Sequence, residues 1–195
     1  MSMDPKPDDS LELFAKPADF ERWLRKHHAK ASCIWVKYAK KKSGIPSIDW
    51  NQAVDVALCY GWIDGQSKSL DETYAIQRFT PRGSRSKWSK LNRERVARLT
   101  KAGLMQPAGL AEVERAKADG RWDSAYDSPA TAKVPDDLAK ALAKSAKAKK
   151  FFDSLSSTNR YAILYRLQEA KKPETRVRRL AKFVDMLKKG EKLYP

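Results

Sequence analysis

Cysteine and histidine are scarce in this chain, with two of each among 195 residues. Cys33 lies in a strand-like run and Cys59 in a helix-like run, so both read as buried, reduced thiols of a cytoplasmic protein rather than a disulfide framework. His27 and His28 are neighbours at the end of an expected helix, where they point in different directions and read as C-terminal cations or surface groups. Positions 27, 28, 33 and 59 do not fit a zinc spacing, so no metal is expected. The chain also lacks a Walker loop, a dinucleotide fingerprint, a nucleophile elbow and a His-Glu-x-x-His pair, so no cofactor is expected either. No apolar run is long enough for a membrane helix, and the polar start from Met1 to Ser10 has no secretory core. Acidic residues are the last shortage: 24 against 40 basic ones give a formal net charge of +16.

What is present suits a folded chain. Six Trp, seven Tyr and six Phe argue against disorder, and the length allows one large domain or two small ones. The charge is uneven: residues 131–195 hold 17 of the 40 basic side chains and 7 of the 24 acids. Such a field attracts phosphates, nucleic acid and anionic surfaces, but it equally describes a solvated lysine-rich surface that keeps the protein soluble.

Hydrophobic periodicity divides the chain into an α+β first half and a helical remainder. Pro17 opens a helix over 17–28 with Phe20, Trp23 and Leu24 on one face, and Cys33–Tyr38 reads as a strand. Ser47 can cap a second helix that Gly61 ends. Trp62–Leu70 and Tyr74–Thr80 read as two strands joined near Asp71-Glu72. The expected fold is a small, mostly antiparallel sheet with covering helices, followed from Ser86 by helices alone. Trp88, Leu91, Val96 and Leu99 mark the next helix, and Pro107 opens another with Leu110 and Val113 inward. Pro135 opens an Ala/Lys-rich helix running toward Phe151-Phe152, Thr158 can cap one more, and Pro173 starts the last, with Val177, Leu180, Val184 and Leu187 inward. The expected division is a flexible tail over 1–15, an α+β domain with trailing helices over 16–122, a linker over 123–135, and a helical segment over 136–195 packed on the first domain.

The densest chemistry lies in the middle. Arg82–Lys101 holds eight basic residues against the single acid Glu94, and a Pro/Gly/Ser loop there runs into a helix start that offers free N–H donors. Arg78, Arg82, Arg85 and Lys87, with Ser86 and Ser89 as hydroxyl donors, form the candidate anion site; Trp62 and Trp88 are its candidate aromatic walls and Asp64 an orienting carboxylate. Each has a plainer reading. Ser86 can cap a helix, the tryptophans can fill a core, and the arginines can face solvent or pair with Asp64 or Asp71. Asp64 alone is no acid–base system, because no partnered histidine or second carboxylate lies nearby in sequence. Aromatics interleaved with arginines can also stack on single-stranded nucleic acid.

Three strings, Ala57-Leu-Cys-Tyr-Gly-Trp-Ile-Asp-Gly65, Gln77-Arg-Phe-Thr-Pro-Arg82 and Ser86-Lys-Trp-Ser-Lys-Leu-Asn92, resemble the signature of the bacterial YdeI/OmdA-like proteins, termed bacteriocin-protection or OmpD-associated. Gly103-Leu-Met-Gln-Pro-Ala-Gly109 and the ending Ala170-Lys-Lys-Pro-Glu-Thr-Arg176 extend the likeness, the latter being similar to an OmdA module. The resemblance implies a YdhG-like α+β part, an OmdA-type helical part and a cytoplasmic role in surviving bacteriocins or antimicrobial peptides, or in envelope stress; it supplies no catalytic residues. Gly83-Ser84-Arg85 departs from the basic or proline residues expected after the Phe-Thr-Pro-Arg run, which implies a less preformed pocket.

The resulting expectation is a non-enzymatic protein that binds an anionic small molecule or acidic protein segment at the central loop. The alternatives are an enzyme acting on a phosphorylated or carboxylated small molecule, or a nucleic-acid-binding protein.

Overall fold

A computed structural model describes Pro5 and residues 9–195; the remainder of the expected tail lies outside the described residues. The chain divides into two compact units. One comprises residues up to Trp88 together with Asn92–Ser124, and the other comprises Ser89–Leu91 with Ala125–Pro195.

The first unit holds β1 (Leu11–Leu13), α1 (Pro17–His27), β2 (Ile34–Ala39), α2 (Trp50–Cys59), β3 (Trp62–Ser69) and β4 (Tyr74–Pro81). It is completed by α3 (Lys90–Lys101), which belongs to it from Asn92 on, and α4 (Pro107–Ala118). The sheet order is β1-β2-β4-β3. β1 runs parallel to β2 and the other pairs are antiparallel, so the sheet is mixed. Its parallel strand falls inside the stretch expected to be a flexible tail. Three residues are too few for a period-2 pattern to register, and pairing with β2 supplies what local propensity does not.

α1 forms where Pro17 presets the first turn and basic residues fill the last. Its Phe20 and Leu24 are fully buried. Phe20 meets Phe79 of β4 edge-on at 5.7 Å, and Trp23 meets Trp62 of β3 at 5.9 Å. Register puts Ile34 opposite Phe79 and Val36 opposite Gln77, so the helices cover one continuous sheet face. α2 is capped by Asp49, which accepts from the Gln52 amide at 2.9 Å while the Gln52 side chain accepts from the Asp49 amide. Ser47, the expected cap, instead accepts from the Ala39 amide. Gly61 ends the helix region at φ +74°, as its position predicts.

α2 and α4 cross at very close range, and glycine is what permits it. A Cβ on Gly109 would lie 2.3 Å from the Cys59 carbonyl oxygen, and one on Gly61 would lie 3.0 Å from the Ala108 oxygen. Gly109, Val113 and Ala116 are the buried face of α4; Leu110, expected inward, is exposed.

The second unit contains α5 (Asp136–Ala143), α6 (Ala146–Ser154), α7 (Ser157–Gln168) and α8 (Pro173–Lys189). Leu138, Leu142, Phe152, Ile163, Leu167 and Leu187 are central to its core. The Ala/Lys stretch forms two helices, not one, because Ser145 turns out of the first and caps the second through the Ala148 amide. Ser156 rather than Thr158 caps α7. The expected linker is irregular but tied down: within this unit the Tyr161 hydroxyl donates to the Asp127 carbonyl at 2.7 Å, and Lys90 pairs with the Asp127 carboxylate.

Candidate functional site

The central loop is held by a turn of its own and by Gly61, Arg115, Arg121 and Trp122 around it. Gly83 and Ser86 close a turn, with the Ser86 amide donating to the Gly83 carbonyl and the Gly83 amide to the Ser86 hydroxyl. α3 begins only at Lys90. Ser86 therefore caps a loop turn four residues before the helix starts, and does not cap the helix. Arg82 is 4% exposed. Its guanidinium lies 3.6 Å from the centre of the Trp88 ring and donates to the Lys87 carbonyl. Its own carbonyl accepts from Arg115, and Arg121 donates to the Ser86 carbonyl at 2.9 Å. Trp88, 2% exposed, also meets Trp122 edge-on at 4.9 Å. Three arginines and two indoles thus interlock, and Arg85 and Lys87 are the loop cations that face outward.

The other expected site residues are distributed elsewhere. Asp64 pairs in register with Phe79, the neighbour of Arg78 in β4, so Asp64 and Arg78 project from opposite faces of the sheet. Asp64 accepts from the Trp50 indole at 3.2 Å. Trp62 is buried and donates to the His28 carbonyl. Arg78 faces the Cys33 thiol, which donates to Asp9 and whose pKa is raised, first by burial. Ser89 is buried and makes an isolated bridge with Tyr126. The structure therefore brings Arg82, Ser86, Lys87 and Trp88 together; Trp62 lies beside them in the backbone, opposite Pro81, but sends its indole to His28 and Trp23, and Asp64 and Arg78 point to opposite faces of the sheet.

A cavity of about 350 Å³ opens elsewhere in the first unit, among α1, α2, α3 and the loop after α3. Its apolar wall includes Val56, Leu99 and Leu104, and its polar groups include Glu21, Asp55 and Arg98. Asp55 holds two guanidinium groups, Arg95 at 2.7 Å and Arg98 at 2.6 Å, which leaves this cluster with one excess positive charge. Arg25 bonds both Glu21 and the Tyr60 hydroxyl. Cys59 is buried in the wall, its carbonyl accepting from the Gln106 amide at 3.1 Å. Its thiol is pushed up to about 11, first by burial and then by the Asp55 charge. Sequence reasoning missed this site. Cys59-Tyr60 and Gly103-Leu104 with Gln106 belong to two of the strings that carry the family likeness, and that was the available signal; their convergence depends on the α2–α4 crossing, which neither string specifies alone.

Among the described residues no group of three His, Cys, Asp or Glu could hold a metal ion, and no helix is long and apolar enough to cross a membrane. The fold and the cavity define an α+β unit with a mixed polar–apolar recess, joined to an all-helical unit. Residues 12–112 match the family model described as a domain of unknown function (DUF8412), and residues 131–190 match that described as bacteriocin-protection, YdeI or OmpD-associated (OmdA). The chain belongs to the DUF8412 family and carries an OmdA match in its helical unit, the module that the ending of the sequence resembles. For the first half the matching model is DUF8412, where the sequence suggested a YdhG-like domain. No curated protein and no solved structure matches the chain.

Proposed function

We propose that this protein is a non-catalytic, cytoplasmic binding protein of the bacteriocin-protection class, and that its first unit takes a small amphiphilic anion in the cavity beside Arg98. The observation that carries the reading is an apolar wall beside Arg98, a lining arginine that shares the Asp55 carboxylate with Arg95 behind it. A ligand with an apolar body would cover Val56, Leu99 and Leu104, and its carboxylate or phosphate would take up the excess charge on Arg98. The central loop supports this choice indirectly, because Arg82 is buried in the Trp88 stack while Arg98 reaches the cavity. Direct capture of cationic peptides is opposed by the net charge of +16, so protection runs through the bound ligand or a partner.

The test is a ligand-observed NMR screen of small amphiphilic carboxylates and phosphates against the whole chain, repeated with Val56→Phe, which fills the cavity, and Arg98→Ala. Hits lost with either variant support the site. Hits that survive Val56→Phe in a folded protein place binding elsewhere and overturn the proposal.

A further inference from the structure

α8 carries two apolar stripes, one buried in the bundle core and one that runs from the core's edge out to solvent. Of Val177, Leu180, Val184 and Leu187, which sequence spacing marks as inward, Leu187 is buried in the core, where Phe183 and Met186 join it. Val177 is 67% exposed, and Leu180 and Val184 are partly buried at the edge of the core. Val177, Leu180, Ala181, Val184 and Lys188 recur at helical spacing and form one wall of a groove of about 560 Å³. The facing wall is a stripe of α5 with its C-cap, comprising Asp137, Lys140, Ala141 and Lys144.

The charges on the rim do not cancel. Asp137 is clasped by Arg176 through bonds of 2.6 and 2.9 Å, and Asp185 is paired with Lys189 at 2.8 Å. Lys140, Lys144 and Lys188 have no ion pair among the described residues. Both acids at the groove are thus neutralised locally, and three ammonium groups stand over an apolar floor.

We propose that this groove docks an amphipathic helix of a partner protein, with an apolar stripe facing Val177, Leu180 and Val184 and acidic residues on its flanks. A helix satisfies its own backbone, so only its apolar stripe needs to enter the groove. An extended segment would need a sheet edge to pair with, and the described residues of this unit form no strand. A bilayer is flat, whereas the apolar atoms here lie between two helices below a lysine rim. A second copy of this unit would bring one lysine rim against another. Val177 to Lys188 rises roughly 16 Å, which matches about three turns of a docked helix.

The experiment is a fluorescence-polarisation titration of the full chain with a labelled helical peptide that places Leu at i, i+3, i+4 and i+7 and Glu on both flanks. A scrambled peptide of identical composition and vesicles of phosphatidylcholine with phosphatidylglycerol are titrated beside it. The patterned peptide is expected to bind about tenfold more tightly than the scrambled one, and Val177→Asp and Lys140→Glu/Lys144→Glu each to lose about tenfold. The exposure of Val177 lets circular dichroism confirm that its variant keeps the wild-type melt. Equal binding of the two peptides would show only attraction to a basic chain. Indifference to Val177→Asp, or binding to vesicles without binding to the peptide, would equally overturn the proposal.

Discussion

Replacing Gly109 by alanine isolates the close crossing of α2 and α4. In an unconstrained helix the change would stabilise by about 1 kcal/mol. Here the new Cβ would sit 2.3 Å from the Cys59 oxygen, 2.7 Å from its carbonyl carbon and 2.8 Å from the Leu58 oxygen. All three are backbone atoms, so no side chain can rotate away. Restoring an ordinary carbon–oxygen distance of about 3.3 Å requires the helices to part by about 1 Å. Overpacking of this kind costs about 1–3 kcal/mol, and separation also stretches the bond from the Gln106 amide to the Cys59 carbonyl, worth about 1 kcal/mol. The net expectation is a loss of roughly 1–3 kcal/mol, or a fall in melting temperature of roughly 2–10 °C. Urea unfolding followed by tryptophan fluorescence is a suitable assay. All six tryptophans lie at or before position 122, outside Ala125–Pro195, so the signal reports the first unit alone. Gly83→Ala, with no atom near the new carbon, is the control and should leave the midpoint unchanged. A Gly109→Ala protein as stable as wild type would refute the reasoning.

Arg82→Lys keeps the charge but loses the planar stack on Trp88, and should cost about 1–2 kcal/mol in the same unfolding assay; an unchanged midpoint would mean that Arg82 is not structural. Cys59 should resist iodoacetamide at pH 8 in a Cys33→Ser background and react faster as pH rises toward 11, read by mass spectrometry; rapid labelling at pH 8 would contradict its burial. Because the folded thiol stays protonated above its ordinary value of 9.0, its contribution to stability is complete below that value and is lost as pH climbs through about 11. The Asp137 carboxyl is held below its ordinary 3.8, chiefly by its bonds to Arg176, so that stability is present above 3.8 and fades as pH falls through the lowered value. Asp137→Asn should therefore weaken the helical unit at neutral pH and flatten its acid unfolding curve by circular dichroism, and an unaltered curve would show that the pair contributes nothing.

Elements marked by punctuation were legible in the sequence. Pro17, Pro107 and Pro173 stand at the first turns of α1, α4 and α8, and Gly61, Gly103, Gly120 and Gly190 all adopt positive φ near the ends expected of them. What failed was the choice among adjacent candidates for one role. Asp49 outcompeted Ser47 as a cap because Gln52 reciprocates, and α8 offered two apolar stripes, of which packing buried one and left the other at the edge of the core. The central loop misled for a related reason. Arginine at the end of a strand predicts exposure by composition, yet a planar guanidinium can lie flat on a buried indole, as Arg82 does on Trp88. The cavity was illegible because its walls come from three helices and a loop, and the loop is held against Cys59 beside the close glycine crossing of α2 and α4.

The shortest strand has a disproportionate consequence for solubility. β1 contributes three residues, yet it occupies the outer flank of β2, with the Trp35 amide bonded to the Ser10 carbonyl and the Trp35 indole to Asp9. Without it, Ile34-Trp35-Val36 would present unpaired backbone groups beside a row of large apolar side chains, the pattern that recruits strands from other molecules. Residues 9–13 therefore act as a molecular selvedge, and proteolysis just before Phe14 would convert a central strand into a sticky margin long before it disturbed the core beneath.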